Sequence, residues 1–116
     1  MTFVLEETHE LLQKTTRQFA QKKLLGKASE YDKTHTYPAK EIKEIGELGL
    51  MGVFIPETYG GAGLDVLSYA IAMEEISAGC ASCGVIMSVN NSLYCDPIWQ
   101  FGDEEQKSQY LTPFAS

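Results

Sequence analysis

Two successive stretches, residues 67–77 and 81–94, carry apolar side chains on nearly every face. Tyr69, Ala70, Ile71, Ala72 and Met73 are consecutive in the first, and Val85, Ile86, Met87, Val89 and Leu93 give the second the same character. A helix that is apolar all round is covered on several sides. Two of them side by side call for surrounding helices that are apolar on one face only. No period-two alternation runs long enough for a strand, and "GVFIP" is too short to found a sheet. The expected fold is therefore all-α, an orthogonal or up-down bundle of about five to six helices.

The remaining segments supply that cover. Between Glu6 and Tyr31, residues Leu12, Phe19, Ala20, Leu24, Ala28 and Tyr31 recur mostly at three- and four-residue steps, with Gly26 positioned to bend or split the helix. "THTYP" breaks the chain, because Pro38 disfavours helix before it and suits a first turn after it. A helix over 39–48 turns Ile42 and Ile45 inward. "LGLMGVFIPETYGGAG" is a structured loop. Pro97 opens a short helix, Asp103 and Gln106 form a reciprocal cap for the next, and Pro113 ends it.

A chain of 116 residues fits one domain. Its 9 basic residues against 16 acidic ones leave a net charge of −7 and no basic patch that would displace counterions from nucleic acid. No apolar run reaches the roughly 20 residues that span a bilayer. "MTFVLEETHE" has neither the order of a secretory signal nor the Arg-rich character of a transit peptide. Three cysteines without such a signal favour a reducing compartment.

Four features are candidate sites. Gly60, Gly61 and Gly63 precede a helix, as in phosphate loops, but no Lys-Ser/Thr comes after them and no βαβ unit surrounds them. Asp65 at that helix start caps it and repels a phosphate. The glycines are thus expected to serve tight turns. Cys80 and Cys83 form a C-x-x-C pair without two further zinc ligands or a redox fold around it, so buried, metal-free thiols are expected. Adjacent Glu74 and Glu75 diverge on a helix, giving one solvated and one hydrogen-bonded acid. "SVNNSLY" places amides and hydroxyls on an otherwise buried helix. These polar groups are either satisfied at a helix end, or they mark a pocket wall in which Ile86, Val89, Asn90 and Leu93 share a face.

Several ordered motifs go further. "LGLMGVFIPETYGGAGLDVLSYAIAMEEISAGCAS" and "FGDEEQKSQYLTPFAS" resemble the N-terminal domain of acyl-CoA dehydrogenases, and "GVIMSVNNSLY" is most similar to the short-chain, butyryl-CoA type. Gly26, where many relatives have Pro, and Cys83, where they have Thr or Ser, depart from the pattern. The resemblance implies a flavoprotein that oxidises an acyl-CoA across its α and β carbons in fatty-acid β-oxidation. A glutamate of a C-terminal helical domain takes the α proton, FAD held mainly by a middle β domain receives hydride, and an electron-transfer flavoprotein reoxidises the flavin. It also implies a homotetramer, in the mitochondrial matrix of a eukaryote or the cytoplasm of a bacterium. On this reading residues 1–116 form the N-terminal domain alone, contributing pocket wall but no catalytic or flavin-binding residue. Such a fragment is expected to be inactive by itself and to self-associate. The alternative is a stand-alone helical binding module. On either reading Cys83→Thr restores the common residue at similar size. Its circular dichroism spectrum is expected to match the parent's, with no zinc found by elemental analysis in either.

Overall fold

The computed structural model describes residues 4–116. Among the described residues there are six helices, a single 3-10 turn Glu57–Tyr59 in the loop before the fourth, and no strand. α1 covers 7–24, as an α-helix Glu7–Phe19 that continues into a π turn Ala20–Leu24. α2 is Ala28–Thr34, α3 Ala39–Glu47 and α4 Val66–Gly79. α5 covers 81–101, as Ala81–Ser88, a π turn Val89–Cys95, and Asp96–Phe101. α6 covers 104–115, as Glu104–Gln106, a π turn Lys107–Leu111, and Thr112–Ala115.

Local chemistry sets most of these bounds. The Gly26 region does split the first helix, and α2 ends where His35 turns left-handed at φ 54°. Asp103 accepts from the Gln106 amide at 2.8 Å while the Gln106 side chain accepts from the Asp103 amide at 2.9 Å, the reciprocal cap the sequence predicts.

The prolines behave differently from the sequence expectation. Pro97 does not open a separate helix, and α6 runs past Pro113 to Ala115. Each comes directly after a π turn, closed by Asp96 N–H to Asn91 O in α5 and by Thr112 N–H to Lys107 O in α6. A proline ring clashes with the carbonyl four residues back in a regular helix. The wider turn relieves that crowding, so the helix continues.

α1 packs on α4, α4 on α5, and α3 on α5. The first core lies between them, with Leu24, Ile45, Val53, Ala72, Ile76, Cys83 and Met87 buried. A second, smaller core of Ile55, Cys95, Leu111 and Ala115 joins α5, α6 and the loop before α4. Glu75 of α4 is buried against Arg17 of α1, which donates from Nε at 3.0 Å and from Nη2 at 2.7 Å. Glu74 is exposed, so the two adjacent acids divide as expected. The whole measures 41 × 39 × 21 Å, a slab two helices thick.

Gly26 is exposed, has no positive φ, and a Cβ added there meets nothing within 4 Å. Gly26→Ala is therefore expected to stabilise the fold by about 0.4–1 kcal/mol, through the entropy of the unfolded chain. Urea unfolding measures it, and a midpoint unchanged or lowered counts against this account.

Candidate functional site

The glycine turn is built as a structural junction. Gly60 and Gly63 have φ of 89° and 66°, a region that favours glycine. Gly61 lies so close to the Ile55 carbonyl that a Cβ has no room. The amides a phosphate would use are already donating: Ala62 N–H to Gly52 O, Gly63 N–H to Ile55 O and Leu64 N–H to Val53 O, each at 2.9 Å.

The start of α4 is filled as well. Asp65 Oδ1 accepts from the Ser68 amide and from the Ser68 hydroxyl, both at 2.7 Å. His9 of α1 reaches the same carboxylate. Its Nδ1 accepts from the Glu6 amide, so Nε2–H donates to Asp65 Oδ2 at 2.9 Å. The Ser68 hydroxyl and amide, then His9, lower the Asp65 pKa to about 2. A permanent anion thus occupies the helix end, and with the glycine amides engaged this turn does not fit the diphosphate of a flavin dinucleotide.

The thiols are not poised for chemistry. Cys80, Cys83 and Cys95 are free and buried. Burial, then a hydrogen bond with Cys80, pushes the Cys83 thiol up to about 12; burial pushes Cys95 up to about 11. Among the described residues, no group of three or more His, Cys, Asp or Glu is arranged to hold a metal ion. Glu41 is a buried carboxylate near this pair. Burial alone raises its pKa, but the Tyr31 hydroxyl at 2.8 Å, its own backbone and Lys27 outweigh that and leave it lowered.

What remains is an apolar cleft of about 480 Å³ against α5. Val85, Ile86, Val89, Asn90 and Tyr94 form one wall, and Tyr37, Ile42, Met51 and Phe114 face them. Tyr94 and Phe114 meet edge to face at 5.0 Å. The structure thus brings Ile86, Val89 and Asn90 together. Leu93 lies outside this cleft, 72% exposed. A neighbouring cleft of about 500 Å³ shares Ile42, Met51, Asn90 and Phe114 with the first. A third, of about 450 Å³, shares Tyr94 with the first and is lined by Phe101 and Tyr110.

The two asparagines anchor this wall. Asn90 Nδ2 donates to Met51 O at 2.8 Å and to Phe114 O at 2.7 Å, crossing the cleft floor. Asn91 is fully buried. Its Oδ1 accepts from Val53 N–H at 2.7 Å, and its Nδ2 donates to Leu50 O at 2.9 Å and Met87 O at 2.8 Å. The sequence marked Asn91 together with Asn90 as mid-helix amides in need of partners but gave only Asn90 a place in the pocket wall, and it gave His9 no role. His9 finds its partner 56 positions away, which no local pattern reveals.

Known proteins match this chain in both sequence and structure. The family model described as "Acyl-CoA dehydrogenase, N-terminal domain" matches residues 6–116. The Bos taurus protein "Short-chain specific acyl-CoA dehydrogenase, mitochondrial" is 59% identical over 112 residues, covering 97% of this chain and 27% of that protein. Among solved structures, butyryl-CoA dehydrogenase from Megasphaera elsdenii superposes with a TM-score of 0.93 at 37% identity, covering 99% of this chain and 31% of that one. A chain from the structure described as "Electron transferring flavoprotein of Acidaminococcus fermentans: Towards a mechanism of flavin-based electron bifurcation" superposes at 0.94 with 44% identity, covering 99% and 30%. The chain thus spans just over a quarter of the length of the curated relatives it matches.

Asp65 gives this region a pH signature. Its lowered pKa contributes stability that is complete above the unfolded carboxylate value near 4 and is lost as pH falls through about 2. Asp65→Asn is expected to remove part of the acid slope between about pH 4 and 2 while leaving the slope above pH 5 unchanged. Urea midpoints measured across that range read it. An identical slope in both proteins means that Asp65 is not the titrating group.

Proposed function

The chain belongs to the acyl-CoA dehydrogenase family, and on that premise we propose that residues 1–116 are the N-terminal helical domain of a short-chain acyl-CoA dehydrogenase. In this reading α5 supplies part of the wall against which the acyl chain of the thioester lies. The observation that carries it is the apolar cleft along α5, made by the segment whose sequence is most like the butyryl-CoA type. An acyl chain needs dry, apolar contact and no hydrogen bonds. Ile86 and Val89 offer that, while both Asn90 amide hydrogens are engaged elsewhere. Leu93 stands outside the cleft in this chain and enters the proposal only as a residue on the exposed side of α5, where a neighbouring domain closes over the wall.

The surface supports a domain that docks against more protein. The accessible area is 7264 Å², roughly 1,000 Å² more than the about 6,300 Å² of an average globular chain of 12.9 kDa. That excess is close to what one partner contributes to a standard interface, about 800 Å². Val85 and Phe101, 62% and 85% exposed, are part of it. Left uncovered, such apolar surface promotes self-association. Within the whole protein, electron-transfer flavoprotein as acceptor and a homotetramer are the partners proposed. The compartment depends on the source: the mitochondrial matrix in a eukaryote, the cytoplasm in a bacterium. No described helix is long and apolar enough to cross a membrane.

The flavin of this family, FAD, supplies the hydride acceptor when bound. Since the glycine turn does not fit it, the cofactor is assigned to segments that the relatives carry beyond the matched region. What these residues do is bind the acyl chain, exclude water from it and limit its length.

A chimera tests this. With this chain replacing the matching residues of the Bos taurus relative, the protein is expected to bind FAD and oxidise butyryl-CoA, whereas residues 1–116 alone do neither. Ile86→Ala in the chimera is expected to shift preference toward longer acyl chains. Each methylene accommodated is worth about 1–3 kcal/mol, or roughly 10- to 200-fold in kcat/KM ratio. Leu93→Ala acts in the same direction and more weakly. A folded, flavin-loaded chimera without butyryl-CoA activity, or with an unchanged chain-length profile in both variants, sinks the proposal.

A further inference from the structure

A π turn holds one residue more than an α turn, because each N–H reaches the carbonyl five positions back instead of four. In α5 the extra residue falls between Val89 and Cys95. Side chains support it there. Asn91 Nδ2 donates to Met87 O at 2.8 Å and Ser92 Oγ to Ser88 O at 2.7 Å, both four positions back. Those are the carbonyls that a regular ladder would pair with the backbone amides of residues 91 and 92. Asn91 also holds Val53 and Leu50, so the turn is fastened to the loop that leads away from the opposite wall.

The register decides which side chain ends the cleft. In an unbroken α-helix Leu93, seven residues from Ile86, returns to within about 20° of it, and Tyr94 lies about 80° away. One added residue turns what comes after it back by about 100°, bringing Tyr94 to within about 20° of Ile86 and carrying Leu93 about 120° away. Tyr94 then comes into line with Ile86 and meets Phe114, and Leu93 swings out to solvent, as observed. We propose that Asn91 is a positioning residue for the cleft: by holding the π register it presents Tyr94 and keeps Leu93 out, and so sets the shape of the end wall.

This inference takes its site from the proposed acyl wall and rests on that reading only in naming the occupant. Its readouts are structural, so an inactive chimera combined with the NMR results expected here would defeat that reading and leave this one standing.

The test uses the chain itself. By NMR, the parent is expected to show nuclear Overhauser contacts between the Tyr94 and Phe114 rings, which lie 5.0 Å apart. Asn91→Ala is expected to lose them and gain contacts from the Leu93 methyls to Phe114. Deleting Leu93 in the Asn91→Ala chain is expected to restore the Tyr94–Phe114 contacts, because the shortened segment is satisfied by an α turn. Deletions in the parent give an independent reading should Asn91→Ala fail to fold. Removing Leu93 is expected to preserve cooperative unfolding, since residues 94–101 keep their orientation. Removing Val85, also exposed but in a regular turn, rotates the rest of α5 by about 100° and is expected to abolish it. A folded Asn91→Ala chain with the Tyr94–Phe114 contacts intact overturns the proposal. So do two deletions that damage the fold equally.

Discussion

The side-chain amide of Asn91 is the interaction on which the rest of this fold leans. It is completely buried and makes hydrogen bonds to Val53 N–H, Leu50 O and Met87 O. A loop rich in glycine and apolar residues has backbone groups that must find partners once water is gone. The amide meets that need at two points and pins Leu50 and Val53 against Met87 in the larger core. Removing the side chain leaves a donor and two acceptors without it in a dry interior, a far larger penalty than the net worth of the bonds themselves. Asn90 repeats the pattern at the edge, joining Met51 to Phe114. Together they let an irregular segment serve as a rigid wall.

The loop passes this rigidity on toward α4. Residues 52–55 receive the amides of 62–64, so the chain turns back on itself before entering the helix at Asp65. There the carboxylate gathers Ser68 and His9, fastening the start of α4 to α1. The acid that caps the helix is also the group that closes the turn to anions. One residue therefore settles both the geometry of the junction and what it cannot bind.

Much of this was legible in the sequence where short-range chemistry dominates. The cap at Asp65, the reciprocal cap of Asp103 and Gln106, the break near Gly26 and the apolar wrapping of α4 and α5 all arise from residues within a few positions of each other. The grouping of Ile86, Val89 and Asn90 was legible, because Ile86 precedes the π turn and Val89 and Asn90 are its first two residues. Leu93 was placed by counting α-helical turns. That counting breaks down where Asn91 and Ser92 take carbonyls from the ladder, and a helical period has no way to register an added residue. The same blind spot explains Pro97 and Pro113, which read as helix boundaries and are passed over. His9 and Asn91 find partners tens of residues away, and periodicity carries no such information.

The thinness of the slab has a consequence for heat. Its radius of gyration is 14.5 Å, against about 13 Å for a compact domain of this length. With 21 Å between its faces, few side chains are far from water, and unfolding exposes less new apolar surface than the residue count suggests. The heat-capacity increment on unfolding should therefore fall below the usual value of about 12–15 cal/mol/K per residue. A smaller increment flattens the stability curve, making the domain less sensitive to cooling. Any protein that covered the slab's flat faces would restore the missing curvature, so the thermal behaviour of this chain depends on what lies against those faces as well as on its own sequence.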